Sequence, residues 1–500
     1  MAFWDMWRGM ARKTAHGTDP KDTTFPEDKG AVTKESIQGE LQGVEDAKFT
    51  VVKIGEETGT LIYLTTMVDV KVLQNLVLDP LSRMRGGSVQ DVLKTAELVP
   101  SDDLPKLVHD IVSGWTALLL PKRRLILKIN TFSAPQRSID TTENETTVLG
   151  PQDAFTETLQ TNLSLIKRRI RSPQLKHKTL MLGTDTRNEV AVIYMQNLAN
   201  QENVERVIHR LQNVEYTGFF GLAVLKQMIE DKPYSPFPQF MITSRPDHAI
   251  QNLLDGRVAV IMNGSPEAVL SPASFFEMFM SPEDMYNRWT TASLLRTIRF
   301  GGFFITVLLT SSYVSVLTYH PEMLPPALLT LLSESRSKVP FPPVIEVLLI
   351  ELTIEVLREA GARMPSKIGQ TLGIVGGIVI GTAAVEAGLA SNILIVLVAI
   401  SALLSFLPTN YLMSNASRFV RYVFIIAAGF LGMFGQALAL AWLMAHLSAV
   451  TSLGTPYLSP VPRTWSDISN SILRVPLNYM MKRSGVSRAK RSLTRPTGEE

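Results

Sequence analysis

The chain has 500 residues, 45% apolar and 19% charged, with Lys+Arg 49 against Asp+Glu 46 and a net charge of +3. That length exceeds one small domain, the apolar content excludes a disordered chain, and the balanced charge excludes binding to a polyanion by global charge. Cys 0 removes disulfides, thiolate metal centres, iron–sulfur clusters and thiol nucleophiles together.

In chain order, Met1 to Asp19 carries no apolar core or small-residue cleavage site of a secretory signal, so the N-terminus is expected in the cytoplasm. Residues 1–45 read as a poorly ordered tail. Phe49 to Ile54 and Gly59 to Val68 alternate as a strand hairpin, Asp69 to Val77 and Val89 to Leu98 have helical spacing, and Trp115 to Leu120 and Arg124 to Ile129 add strands. This gives a first α/β unit over 46–137. A polar linker, 138–147, leads to a second unit over 148–290. There the pattern predicts a helix Gln152 to Arg171, a strand Glu189 to Met195, helices Gln201 to Leu211 and Gly221 to Glu230, and a strand Leu254 to Met262. No G-x-G-x-x-G follows a strand and no phosphate-loop motif occurs, so nucleotide binding has no support.

Near residue 295 the composition changes. Long uncharged stretches follow, and a helix needs about 20 residues to cross about 30 Å of hydrocarbon. Four spans are expected: Phe300 to Tyr319, the glycine-rich Ile368 to Val385, Ser391 to Leu407 with Pro408 near its end, and Tyr422 to Ala445, introduced by Arg418 and Arg421. The membrane region is thus 291–450, and 451–500 forms a basic tail. Arg463, Arg474, Lys482, Arg483, Arg488, Lys490, Arg491 and Arg495 place that tail in the cytoplasm. Four spans return the N-terminal half to the same side, but they put Arg418 and Arg421 outside, against the positive-inside tendency. The expected fold class is therefore two cytoplasmic α/β subdomains followed by a helical transmembrane domain of about four spans, with one amphipathic membrane-embedded helix.

Catalytic sets are absent from this reading. The seven histidines are scattered without zinc-ligand spacing, so neither metal nor cofactor nor enzyme chemistry is expected. The basic run Lys167, Arg168, Arg169 and Arg171 could attract phosphate or an acidic partner and is a candidate assembly contact. Alternatively, it is a solvated helix end. The segment 340–361 carries most information. At 100° per residue Glu351, Glu355 and Glu359 fall within about 80° on one helical face, with Arg358 on its flank and Ile, Leu and Val elsewhere. Carboxylates in a bilayer are costly unless they meet water, a bundle interior or a counter-charge. Two readings stay open: a pore lined by acidic rings from several copies, or a helix lying flat at the interface.

Gly150-Pro151, Phe155-Thr-Glu157 and Thr161 to Arg171 resemble the A-subunit family of bacterial spore germination receptors, the GerA type. In order along the chain, Ser235-Pro-Phe-Pro-Gln239, Arg245-Pro-Asp247, Leu254 to Ala259, Ser281-Pro-Glu-Asp284, His320-Pro321, Glu351-Leu-Thr353, Leu357 to Gly361 and Gly454 to Ser459 extend the resemblance. It implies a protein of the spore inner membrane that acts with a permease-like B subunit and a C-subunit lipoprotein. It also implies a homo-oligomer forming a nutrient-gated cation channel, surrounded by membrane lipid and without nucleic acid. A signal-amplifying sibling of the spore stage V membrane system, a secondary transporter whose helices Pro408 and the span-two glycines interrupt, and a membrane-anchored scaffold are the alternatives.

Overall fold

A computed structural model of the chain describes residues 32–491, except 55–56, 85–87, 94, 101, 133–144, 146, 364–376, 378–380, 459–471 and 477–482. Part of the expected tail, residues 32–45, is folded onto the first unit. Thr33 caps helix α1 (Lys34–Glu40) by accepting from the Ser36 amide at 3.1 Å, and Ile37 in that helix is fully buried. The apolar pattern of 37, 41 and 44 fills one face of the first sheet.

That sheet contains β1 (Ala47–Ile54), β2 (Glu57–Leu64), β3 (Ala96–Leu98), β4 (Trp115–Leu120) and β5 (Leu125–Asn130), with helix α2 (Leu104–Val112) before β4. Its order is β1-β2-β4-β5-β3, antiparallel throughout. The second unit opens with α3 (Leu159–Arg169) and continues through β6 (Leu175–Leu182), β7 (Asn188–Met195), α4 (Gln201–Gln212), α5 (Leu222–Ile229), β8 (Met241–Thr243), α6 (Pro246–Leu254), β9 (Val258–Met262) and β10 (Ala268–Ser271). Its order, β6-β7-β9-β10-β8, reproduces that of the first sheet strand for strand. The chain therefore uses one topology twice. Apolar clusters cover both faces of each sheet.

Several local expectations change. Val89 to Leu98 is helical only over Val89–Val92 and then enters β3. The helix expected from Gln152 starts at Leu159. Asn162 Oδ1 accepts from the Thr156 amide at 2.8 Å and its Nδ2 donates to the Thr156 carbonyl at 2.6 Å, which holds the preceding residues out of the helix. Leu254 closes α6, so the strand begins four residues later than expected, at Val258.

In the membrane half, α7 (Trp289–Tyr319) leaves the second α/β unit and is about 46 Å long at 1.5 Å per residue. Its α/β-side end is called proximal here and its Tyr319 end distal. Then follow α8 (Pro326–Arg336), α9 (Pro343–Arg363), α10 (Asn392–Leu404) and α11 (Tyr411–Ala449). By length and apolarity α7 and α11 qualify as membrane spans, with mean hydropathies of 1.7 and 2.1. The expected first span lies inside α7. The third matches α10, which has 13 residues. The second, Ile368 to Val385, falls mostly outside the described residues.

The fourth expected span is not one straight helix. At Gly432 the backbone takes φ 60° and ψ −139°, and a Cβ built on Gly435 would meet backbone atoms of Ala427, eight residues earlier. Such contact requires the chain to turn back on itself. Both ends confirm the reversal: Thr409 donates to the Met280 carbonyl at 2.9 Å, and His446 lies 2.9 Å from the Ser235 hydroxyl, so each end touches the second α/β unit. The middle instead meets Tyr319, whose hydroxyl lies 3.0 and 2.9 Å from the Gly429 and Phe430 carbonyls. Residues 411–431 thus run proximal to distal, about 31 Å, and 433–449 return, about 25 Å.

Candidate functional site

The candidate site is a charge cluster between α9, α10 and the 411–431 half of α11. Pro342 and Pro343 start α9 at the distal end, where Val344 lies against Gly429. The helix then descends. Glu351 has no exposed surface, and Arg421 Nη2 lies 2.8 Å from its Oε2. Glu355, one turn on, accepts from Arg358 at 3.1 Å, from Arg421 at 3.4 Å and, through Oε2, from Arg418 at 2.9 Å. Arg421 Nη1 donates to Ser401 at 3.0 Å and Arg358 Nη2 to Ser405 at 3.1 Å, which ties α10 into the cluster. Arg358 also stacks over Phe406, 4.4 Å from the ring centre.

Of the four sequence-nominated residues, Glu351, Glu355 and Arg358 meet and Glu359 does not. Glu359 is 66% exposed and pairs with Arg363 at 2.5 Å, one turn along its own helix. The acidic stripe therefore runs from buried to exposed down α9. Arg418 and Arg421 are not outward-facing loop charges. They lie in the proximal half of a helix whose first residue follows Thr409 on the α/β side, and the reversal at Gly432 supplies the extra passage that brings the chain back to that side. The conflict in the four-span scheme disappears because α9 supplies one added passage and the Gly432 turn another.

The sequence reading missed Arg418 and Arg421 as partners, and also Glu346. Glu346 is fully buried, bonds Arg336 Nε at 3.1 Å and accepts from the Ser391 amide at 2.7 Å, joining α8, α9 and the start of α10. A legible signal existed: two arginines three residues apart entering an apolar helix, with no acid nearby in sequence, match a stripe that carries three acids and one base.

Of the basic run, Arg169 and Arg171 are exposed at the end of α3, as the solvated helix-end reading expects, and Lys167 departs from it. Lys167 is buried and bonds Asp46 at 2.5 Å and Thr66 at 3.3 Å, bridging the two α/β units. Arg169 binds both oxygens of Asp153 at 2.7 and 2.8 Å, Arg168 faces Phe132, and Arg171 donates to the Arg168 carbonyl. Burial would raise the Asp46 carboxyl, but Lys167, His177 and Thr66 outweigh it and hold it below the usual range. His177, beside them, is pushed down to about 4 by burial and by the Lys167 charge.

Motifs of the sequence resemblance gather where α7 leaves the α/β unit. Asp284 binds Arg299 at 2.8 Å and Arg296 at 3.3 Å, and Arg257 bonds Glu277. Asp247 bonds Arg245 at 2.8 Å and accepts from the Tyr286 hydroxyl at 2.8 Å. Burial and that hydrogen bond push Tyr286 up to about 12. These residues anchor the membrane half. Among the described residues no group of His, Asp and Glu could hold a metal.

The family described as "Bacillus/Clostridium GerA spore germination protein" matches residues 35–486. Spore germination protein GerQA of Bacillus cereus is 38% identical over 463 residues, covering 91% of this chain and 93% of that protein. Spore germination protein A1 of Bacillus subtilis (strain 168) is 39% identical over 384 residues, 77% of this chain and 80% of that protein. Among solved structures, the N-terminal domain of the A subunit of the Bacillus megaterium spore germinant receptor GerK3 is 24% identical with a TM-score of 0.36, covering 48% of this chain and 93% of that one. With a family match across nearly all of its length and relatives this similar, the chain belongs to the GerA spore germination proteins and is a membrane protein of that family.

Proposed function

We propose that this chain is the membrane-embedded A subunit of a germinant receptor in the spore inner membrane, assembling with a permease-like B subunit and a C-subunit lipoprotein and acting without catalysis or cofactor. Copies of it associate into a gated conduit for cations, with both termini on the cytoplasmic side. The observation that carries this reading is the cluster of Glu351, Glu355, Arg418 and Arg421 inside the apolar half, since ionisable side chains within a membrane are retained where they serve transport or gating. The carboxylates are neutralised within one chain, so copies are not required to stabilise α9. With Glu351 and Glu355 held by arginines of the same chain, this conformation corresponds to the closed conduit.

Of the two motives for the transporter alternative, the glycines of span two fall mostly outside the described residues, and Pro408 gives it little support. Pro408 lies in the proximal connection between α10 and α11, and the described break at Gly432 is at the distal end, whereas alternating-access sites use breaks near the midplane.

The test is reconstitution of the full chain in potassium-loaded liposomes, with its subunit number measured in detergent. A discrete oligomer whose potassium flux exceeds that of empty vesicles, and changes when Glu351, Glu355 and Glu359 are replaced together by Gln, is expected. A monomer with no flux contradicts the proposal.

A further inference from the structure

We infer that Arg421, assisted by Arg418, is the lock of the resting state: it holds α9 against 411–431 and α10, and its release frees α9 to move and unmask Glu351 and Glu355. The inference rests on the membrane placement proposed above and deepens it by naming the residue that controls the conformation.

Three observations carry it. First, Arg421 is the shared partner. It contacts Glu351 and Glu355 on α9 and Ser401 on α10, so a single guanidinium joins three helices. Second, the cluster is under-bonded for a static brace. Both Glu351 oxygens and Arg421 Nε are buried without a hydrogen-bond partner among the described residues. Thr310 of α7 faces the Glu351 carboxyl but lacks hydrogen-bond geometry. A buried ion pair contributes net stability only when its remaining donors and acceptors are satisfied, so this one holds α9 through charge while leaving it exchangeable. Third, cohesion weakens along α9. Its distal half buries Pro343, Glu346, Val347 and Glu351, and no residue of α9 beyond Glu351 is fully buried. The proximal half can therefore swing about the distal anchor of Glu346, Arg336 and the Ser391 amide once Arg421 and Arg418 release it and Arg358 slides off Ser405 and Phe406. A third guanidinium, Arg358, moves with α9 itself and remains on Glu355 after release.

The natural chain has Cys 0, so one introduced thiol is a unique reporter. Ile354, in the proximal half of α9, packs half-buried against the apolar cluster of α7, α10 and 411–431, and I354C in the full chain in liposomes reads the separation of that half through its labelling rate with a water-soluble maleimide. The native background should label slowly. Arg421→Gln, and independently Glu351→Gln with Glu355→Gln, should raise the rate about tenfold or more, and Arg421→Lys should stay near native. The charge-reversed pair Glu351→Arg with Arg421→Glu should return the rate toward native, which a merely misfolded variant does not do. Labelling that stays at the native rate in both neutralised variants overturns the lock. A rise that the reversed pair fails to correct overturns it too. Potassium flux from the same vesicles separates the two claims: labelling that responds while flux stays at background sinks the conduit and leaves the lock, and flux without a labelling response does the reverse.

Discussion

Arg421 has no exposed surface and two carboxylates within reach, and that arrangement sets its energetics. Removing one member of a buried pair leaves the other uncompensated, at about 3–5 kcal/mol. Arg421→Gln is therefore expected to lower the thermal unfolding midpoint in detergent, and adding Glu351→Gln should recover part of the loss, a non-additivity read by the double-mutant cycle. A second residue-scale prediction concerns pH. His177 has a folded pKa near 4 against 6.5 for the free side chain, because burial and Lys167 disfavour its charged form. The unfolded chain therefore binds the extra proton between those values. Stability should be fully present above about pH 6.5 and fall as pH drops toward 4, by about 3 kcal/mol from this residue. Asp46, held below its usual range, loses its contribution in the same direction at lower pH. His177→Phe should flatten the acid limb of a melting-temperature profile, and an unchanged limb would remove His177 from the account. At this scale the α9 acids were legible because a helical period displays them. Arg421, whose partner lies 70 residues away, was legible only as an unmatched charge in an apolar helix, and the pairing of Lys167, 121 residues from Asp46, was not legible because spacing carries no information on such pairs.

Among the elements, α11 depends on one backbone position. A φ of 60° at Gly432 lies in the left-handed region, and a Cβ there would meet Tyr319 Cβ at 2.9 Å and its ring at 3.0 Å. Gly432→Val is expected to destabilise the reversal by at least about 2 kcal/mol. Tyr319→Phe should cost about 1–2 kcal/mol, because carbonyls released by the turn lose their donor. Both are read from thermal unfolding. Length and apolarity identified 422–445 as membrane-crossing sequence but not its reversal, since the apolar run continues unbroken through the turn. β6 escaped notice for a related reason. Its Lys176 and His177 look solvent-facing in sequence, yet both are buried, where Lys176 bonds the Gln42 carbonyl and Val44 pairs with His177 across the two units.

For the whole molecule, the same α/β unit receives the chain at both ends of the membrane half. Arg474 donates to the Asn287 and Met285 carbonyls, Asn203 to the Ser487 carbonyl, and the Lys490 amide to the Leu198 carbonyl at 2.8 Å. The basic tail read from sequence as an extension is, where described, a strap on the second unit. An even number of crossings follows from that docking. Impermeant thiol labelling of single cysteines at Lys53 and Lys490 should reach both from one side of the bilayer, and one at Met323 from the other. Packing of α9 within its own chain is the claim on which the closed state and its lock stand, and one cross-link tests it. A Cβ at Gly429 would lie 3.1 Å from the Val344 Cβ, close to disulfide separation. In otherwise cysteine-free protein, Val344→Cys with Gly429→Cys is expected to oxidise within single chains, leaving a monomer band on a denaturing gel and no free thiol. Free thiols after oxidation, or cross-linked dimers, would show that α9 packs elsewhere.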